Sequence, residues 1–370
     1  MTIVRLALQS LRNRWLTALL TVLAIAVSVV LLLGVEKVRT GAKASFANTI
    51  SGTDLIVGAR SGGIQLLLYS VFRIGNATNN MTWRSYDEIR RRPEVNWMIP
   101  LSLGDSHRGF RVLGTTPAYF DRYQYRRGRG LTFASGKRFD DLFDAAIGAD
   151  VAAELGYKVG DRIVIAHGLG RIGINKHDDK PFRVSGVLAK TGTPVDRTVH
   201  VSLAAIEAIH IDWEGGARSQ GRRVTADQVR KMKLRPKAVT AAMIGLRSKI
   251  EIFKLQRFVN TYRSEPLSAI LPAATLYELW GLVSTAETAL MVVSVMVVIT
   301  AILGMITMIL ATLNERRREI AILRSVGAGP RTVVGLLVSE AGILTLSGVI
   351  VGIAATYALL FALRPAIDAA

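Results

Sequence analysis

Three stretches of the chain run without a charged residue for long enough to cross a lipid bilayer. Trp15 to Val35 has 21 such residues, Thr288 to Leu313 has 26 and Ala341 to Leu363 has 23. A helix rising about 1.5 Å per residue needs roughly 20 to span the hydrocarbon. The pattern predicts transmembrane helices over 15–35, 288–313 and 332–363. Arg5, Arg12 and Arg14 precede the first run as they would in a secretory signal, and Ala42-Lys43-Ala44 imitates a cleavage site. The run exceeds the roughly 7 to 15 residues of a signal h-region, so it reads as a retained anchor.

Between Glu36 and Glu287 the pattern changes to short elements. EKVRTGAKASFANTI continues the first span as an amphipathic stalk. Asp54–Arg60 (DLIVGAR) reads as a strand, followed by a loop containing NATNN and a short helix near Ser85–Arg92 that Pro93 stops. VNWMIPLSLGD and FRVLGTT read as β-rich segments punctuated by Gly or Pro. AAIGADVAAELGYKVGDRIVIAHG reads as strand, helix, strand, and PFRVSGVLAKT as a further strand. KAVTAAMIGLRSK has a strand pattern, and KIEIFKLQRFVNTY a helical one. The expected fold is an α-helical integral membrane protein with a large mixed α/β domain inserted between spans one and two.

Charge orients this arrangement. Arg5, Arg12 and Arg14 flank the first span, and Arg316, Arg317, Arg318, Arg324 and Arg331 lie between the second and third. Short basic segments stay in the cytoplasm, so residues 1–14 and 314–331 belong inside. Residues 36–287 and 364–370 then lie outside the cytoplasm of a bacterial inner membrane. The large domain carries 38 of the 47 basic and 24 of the 28 acidic residues, a net +14. That surface suits anionic lipid headgroups, acidic polymers or an acidic partner, and on that side of the membrane no nucleic acid is expected. Eight of the basic residues cluster in 213–237, which reads as a solvated insertion, with a dedicated anion-binding patch as the alternative.

The absence of cysteine removes disulfides and thiolate chemistry. No GxxxxGK[ST], HExxH or GxSxG occurs, so catalysis has no visible owner. His167 and His177 flank a Gly-rich loop and are weak metal candidates, ten residues apart; no metal site is expected. His107 and His200 read as turn residues. Glu340 is an acid inside the third apolar segment, where a carboxylate is costly and points to function, to a place near the headgroups, or to pairing with an arginine of the cytoplasmic segment. Gly348 and Gly352 form a GxxxG that lets a second helix approach closely.

The segment from Glu315 to Val326 has helix-forming residues and apolar rows at Ile320, Ile322, Leu323 and Val326, and Gly327, Gly329 and Pro330 then end one helix and start another. It reads as a small helix at the inner membrane surface. NERRREIAILRSVGAGPRTVVGLLVSEAGILTLSGVIVGIAAT resembles the signature region of the FtsX-like, MacB-type ABC transporter permeases, which include the lipoprotein-releasing permeases. GTDLIVGAR and IGADVAAELGYKVGDRIVI resemble that family's periplasmic core domain.

The resemblance implies a coupling helix that docks on a separate cytoplasmic ABC ATPase, carried here by Arg316, Arg317, Arg318, Glu319, Ile320, Leu323, Arg324, Gly327 and Ala328. It implies a second permease copy or a paralogue, no cofactor on this chain, and ATP with Mg on the partner ATPase. A periplasmic or lipoprotein partner and membrane lipid are further expected contacts. The implied mechanism is mechanotransmission: ATP-driven closure of the ATPases reshapes the external domain and moves a lipid, lipoprotein, peptide or similar amphiphile. The alternative is an FtsX-like regulator that activates an external partner without transport. The family has four spans, so the reading frame is expected to continue past Ala370 with another apolar segment.

Overall fold

The computed structural model describes residues 2–167, 179–214, 217–218, 224–315 and 317–369. The chain divides into two compact units, Met1–Ala42 with Leu282–Ala370, and Lys43–Gly281.

The first unit is helical. Three helices are long and apolar enough to cross a membrane, within Trp15–Gly41, Pro272–Leu310 and Pro330–Leu363. Each helix outruns its uncharged window, since the helical segments are Trp15–Ala47, Pro272–Glu315 and Pro330–Ala369. Charge continues the first helix beyond Val35: Arg39 pairs with Glu36 at 3.0 Å one turn earlier, and lies 3.9 Å from Glu287 of the second helix. Outward side chains such as Leu20, Met296 and Val338 are apolar and exposed, as contact with lipid tails requires. Thr2–Asn13 forms a separate short helix that packs on the third long helix and buries Ala7.

The second unit is built on one mixed sheet. Its strands are β1 (Leu55–Ala59), β2 (Val95–His107), β3 (Phe110–Thr115), β4 (Phe133–Gly136), β5 (Asp144–Ile147), β6 (Phe182–Leu188), β7 (Thr198–Ser202), β8 (Ala241–Leu246) and β9 (Leu267–Ile270). They lie in the order β9-β1-β8-β2-β3-β7-β5-β6-β4, with two-residue strands at 162–163 and 166–167 pairing on β6 and β2. Neighbours are antiparallel except β3 with β7 and β5 with β6.

Both faces of this sheet are covered, which explains why LIVGA and AAMIGL are continuous apolar runs. Alternate residues enter different cores, because successive side chains on a strand point to opposite faces. Ile56, Ile99, Leu113, Ala146 and Met243 join the cluster around Tyr69, Tyr119 and Phe120. Leu55, Val57, Ala242 and Ile244 meet Tyr86, Leu255 and Val259 on the other face. Further along, Val112, Ala145, Ile147, Val199 and Val201 form a third cluster with Phe182, Ile209 and Val229. Burying each Ile or Leu completely is worth about 1.5–3 kcal/mol.

Three readings of the sequence change here. Gly63–Phe72, placed in a loop before NATNN, is a buried helix whose last turn widens to π geometry and stops at Arg73, φ 62°. Its apolar run GIQLLLYSVF packs Leu66, Leu67, Tyr69 and Phe72 into the first cluster, so tertiary burial overrides the glycine-flanked, turn-like context. The basic stretch 213–237 is not wholly solvated either: Thr225 caps a short helix, Ala226–Arg230, whose Val229 is fully buried, and Leu234 packs beside it. Finally, His107 and His200 lie in strands β2 and β7, not in turns, and both are buried.

Candidate coupling site

The segment between the second and third long helices folds as a nine-residue helix, Arg317–Ser325. Its end follows from local chemistry. Val326 N–H donates to Ile322 O, Gly327 N–H donates to Arg324 O, and Gly327 takes φ 94°, a left-handed conformation that a Cβ would strain. Pro330 then opens the third long helix, where its missing N–H costs nothing.

The described side chains of this helix leave an uncovered surface. Arg317 and Arg324 are exposed, Ile320 and Ala328 are half-buried, and Ile322 and Val326 are 62% and 82% exposed. Ile322 and Val326 are four residues apart and therefore share a face. Two exposed aliphatic side chains on a helix that also exposes two guanidinium groups suit a protein partner better than water. Arg316 and the side chains of Arg318, Glu319 and Leu323 lie outside the described residues.

The third long helix is held against the first by its two glycines. A Cβ on Gly348 would lie 2.6 Å from Ile25 Cβ, and one on Gly352 would lie 2.9 Å from Ala26 O. Only hydrogen fits at either place, so the backbones approach to a distance that larger residues forbid. Glu340 lies on the same helix and is 6% exposed, buried within the helical unit. Ser28 and Thr356, also buried, return their hydroxyls to the carbonyls four residues back, at 2.8 Å each.

A model of the MacB-like periplasmic core domain matches residues 18–244, and a model of the FtsX-like permease C-terminal region matches residues 291–368. The chain belongs to the FtsX/MacB-type ABC transporter permeases. Among solved structures it is similar to the periplasmic region of MacB from Actinobacillus actinomycetemcomitans, with 9% identity over 62% of this chain and 94% of that one and a TM-score of 0.38. It is also similar to the extracellular domain of the noncanonic ABC-type transporter YknZ from Gram-positive bacteria, with 12% identity over 59% and 98% and a TM-score of 0.34. No curated protein matches the chain.

Within this permease the histidines of the large domain serve different structural ends. His107 Nδ1 lies 2.7 Å from Val164 O and Nε2 lies 3.1 Å from Tyr157 OH; burial, with the charge of Arg108, holds its pKa below the ordinary value despite the Val164 contact. His200 is fully buried beside Tyr119 and Phe120, and burial with the charge of Arg73 pushes its pKa down to about 3. His167 has its backbone in the short strand on β2, while His177 lies outside the described residues. Among the described residues no three metal-ligating side chains converge.

Buried charge in the large domain is matched. Lys180 is fully buried and donates at 2.9 Å to both Asp179 and Asp212. Glu94, also buried, accepts from Arg92 and Lys254. Two polar arrangements were not visible in the sequence because they join distant segments: the Lys180 ion pair, and a cleft where β2, the helix Leu203–His210 and the segment 233–238 meet.

Proposed function

We propose that this permease is the membrane subunit of an ABC transporter of the bacterial inner membrane, and that the helix Arg317–Ser325 receives the motion of a separate cytoplasmic ATPase. The reading rests on the exposed Ile322 and Val326 on a helix that also exposes Arg317 and Arg324, placed between two apolar helices. Aliphatic contact supplies affinity and the guanidinium groups supply orientation on an acidic partner surface. Arg316, Arg318, Glu319, Ile320, Leu323, Gly327 and Ala328 belong to the same coupling element.

The chain itself carries no catalytic step. ATP and Mg are held by the partner, and two permease chains, identical or paralogous, pair with two ATPases. The external domain then changes shape as the long helices move, extracting or exporting a lipid, lipoprotein, peptide or similar amphiphile. The absence of ionisable side chains in spans one and two supports force transfer over an aqueous path. The test is co-purification of the ATPase with the full chain, followed by ATP turnover in nanodiscs with and without it. A chain that recovers no ATPase and leaves its turnover unchanged defeats the proposal.

A further inference from the structure

The large domain contains a cleft of about 610 Å³ with three basic side chains, Lys233, Arg235 and Lys237, in its lining. One wall is the segment Lys233–Ala238, where exposure alternates: Lys233, Arg235 and Lys237 are exposed, and Leu234 and Pro236 are half-buried. Leu234 packs on the third core cluster, so the three cations share the opposite side of the segment. Its backbone is pinned. Met232 N–H donates to Val229 O at 3.0 Å, Lys237 N–H to Glu207 Oε1 at 3.1 Å, and Trp83 N–H to Lys237 O at 2.9 Å.

The facing wall comes from β2 and the helix Leu203–His210. A β-bulge between Leu103 and Ser106 brings Gly104 and Asp105 to the cleft. His210 reaches it from the helix, with Nδ1 donating to Ile206 O at 2.6 Å and Nε2 3.6 Å from Asp105 Oδ1. The two carboxylates of the cleft are thus engaged, Asp105 by His210 and Glu207 by the Lys237 amide. Among the described residues Lys233, Arg235 and Lys237 have no carboxylate within ion-pair distance, so their charges are open to a ligand.

Three exposed cations on alternate residues of a pinned segment match a phosphate group, whose several oxygens can accept from different side chains where a carboxylate offers only two. Leu103, Ile206 and Leu234 add apolar surface beside them, and the volume is that of an ordinary small-molecule site. We propose that this cleft binds a phosphate-bearing ligand, a soluble organic phosphate or a phospholipid headgroup, with Lys233, Arg235 and Lys237 on the phosphate oxygens. The site stands on the large domain alone and does not depend on how the chain couples to ATP.

The test is titration calorimetry on the full chain in dodecyl maltoside, which carries no phosphate. The probes are sn-glycerol 3-phosphate and dihexanoyl phosphatidylglycerol below its micellar concentration. Saturable binding of at least one probe is expected, weakening with salt, and at least about tenfold weaker in the triple variant Lys233→Gln, Arg235→Gln, Lys237→Gln. The exposed Lys249→Gln serves as control and keeps wild-type affinity. Binding of glycerol phosphate alone identifies a soluble ligand, and binding of the short-chain lipid alone identifies a headgroup. The proposal falls if neither probe saturates up to about 10 mM, if the triple variant binds as wild type does, or if Lys249→Gln weakens binding equally.

Discussion

Gly352 of the third long helix and Val29 of the first approach so closely that a Cβ on the glycine would lie 2.7 Å from the valine Cβ. Gly348 stands in the same relation to Ile25 one turn earlier. Gly348→Leu and Gly352→Leu therefore force the two helices apart. Each variant is expected to insert but to lose several degrees of thermal stability in detergent. Gly342→Leu, with open space at its Cβ position, should change little. Equal melting temperatures for all three would mean that the helices do not meet at these glycines.

Lys180 and Asp212 make a buried ion pair, with Asp179 as a third member. Lys180→Met leaves two carboxylates with no counter-charge and should destabilise the large domain by about 3–5 kcal/mol. Adding Asp212→Leu should restore part of that loss, because a buried charge disappears with its partner. A double-mutant cycle by chemical denaturation measures the coupling, and strict additivity would show that the pair is not coupled.

Acid sensitivity has an assignable source. His200 stays neutral in the fold down to about pH 3 because it is buried and lies near Arg73, while the unfolded chain takes up that proton near pH 6.5. The unfolded state therefore binds more protons between these values, and stability falls as pH drops from 6.5 toward 3. Glu94 acts lower. Burial would raise its pKa, but the hydrogen bonds from Lys254 and Arg92 outweigh it and hold the carboxyl at about 2, so its contribution is present above about 4.5 and is lost as pH falls through 2. Thermal melts of His200→Gln against wild type should converge as pH falls from 6.5 to 4.5. Parallel curves would reject the assignment.

The proposed coupling role of the helix Arg317–Ser325 can be tested by charge reversal. Arg317→Glu with Arg318→Glu should cost several kcal/mol of complementarity with an acidic ATPase surface and abolish co-purification, while Arg5, Arg12 and Arg14 still direct insertion of the first span. Ile322→Ser should weaken docking without changing charge. Gly327→Ala should add about 1 kcal/mol of backbone strain at φ 94° and lower coupled turnover more than association. Wild-type ATPase recovery from the double reversal would make these arginines an orientation device only.

Much of the membrane unit could be read from one dimension. The uncharged runs, the arginines beside them and the Gly-Pro break at Gly327–Pro330 act locally, so a window of twenty residues contains the information. Strands β1, β2, β3, β5, β6 and β8 were legible for the same reason, whereas β4, β7 and β9 were not marked and Gly63–Phe72 was lost because its helicity comes from burial against residues of β2, β3 and β9, far away in sequence. His107 and His200 were misplaced because polar residues in a strand look like turn residues until their neighbours are known. The candidate coupling residues lay in one continuous segment and could be named directly.

The amino-acid sequence by itself determined that this is a membrane protein of the FtsX/MacB permease type, that it carries three helices long and apolar enough to cross a membrane, and which segment stands between the second and third of them. Those properties follow from hydrocarbon length, charge next to lipid and short motifs. Only the tertiary structure decided that the apolar strands are buried on both faces, that Lys180 meets Asp212 across 32 residues, that Gly348 and Gly352 face Val22 to Val29, and that Lys233, Arg235 and Lys237 share a cleft with His210. Each of these depends on sheet order and helix contact between segments far apart in the chain, and strand pairing over such separations leaves no periodic trace in either partner alone.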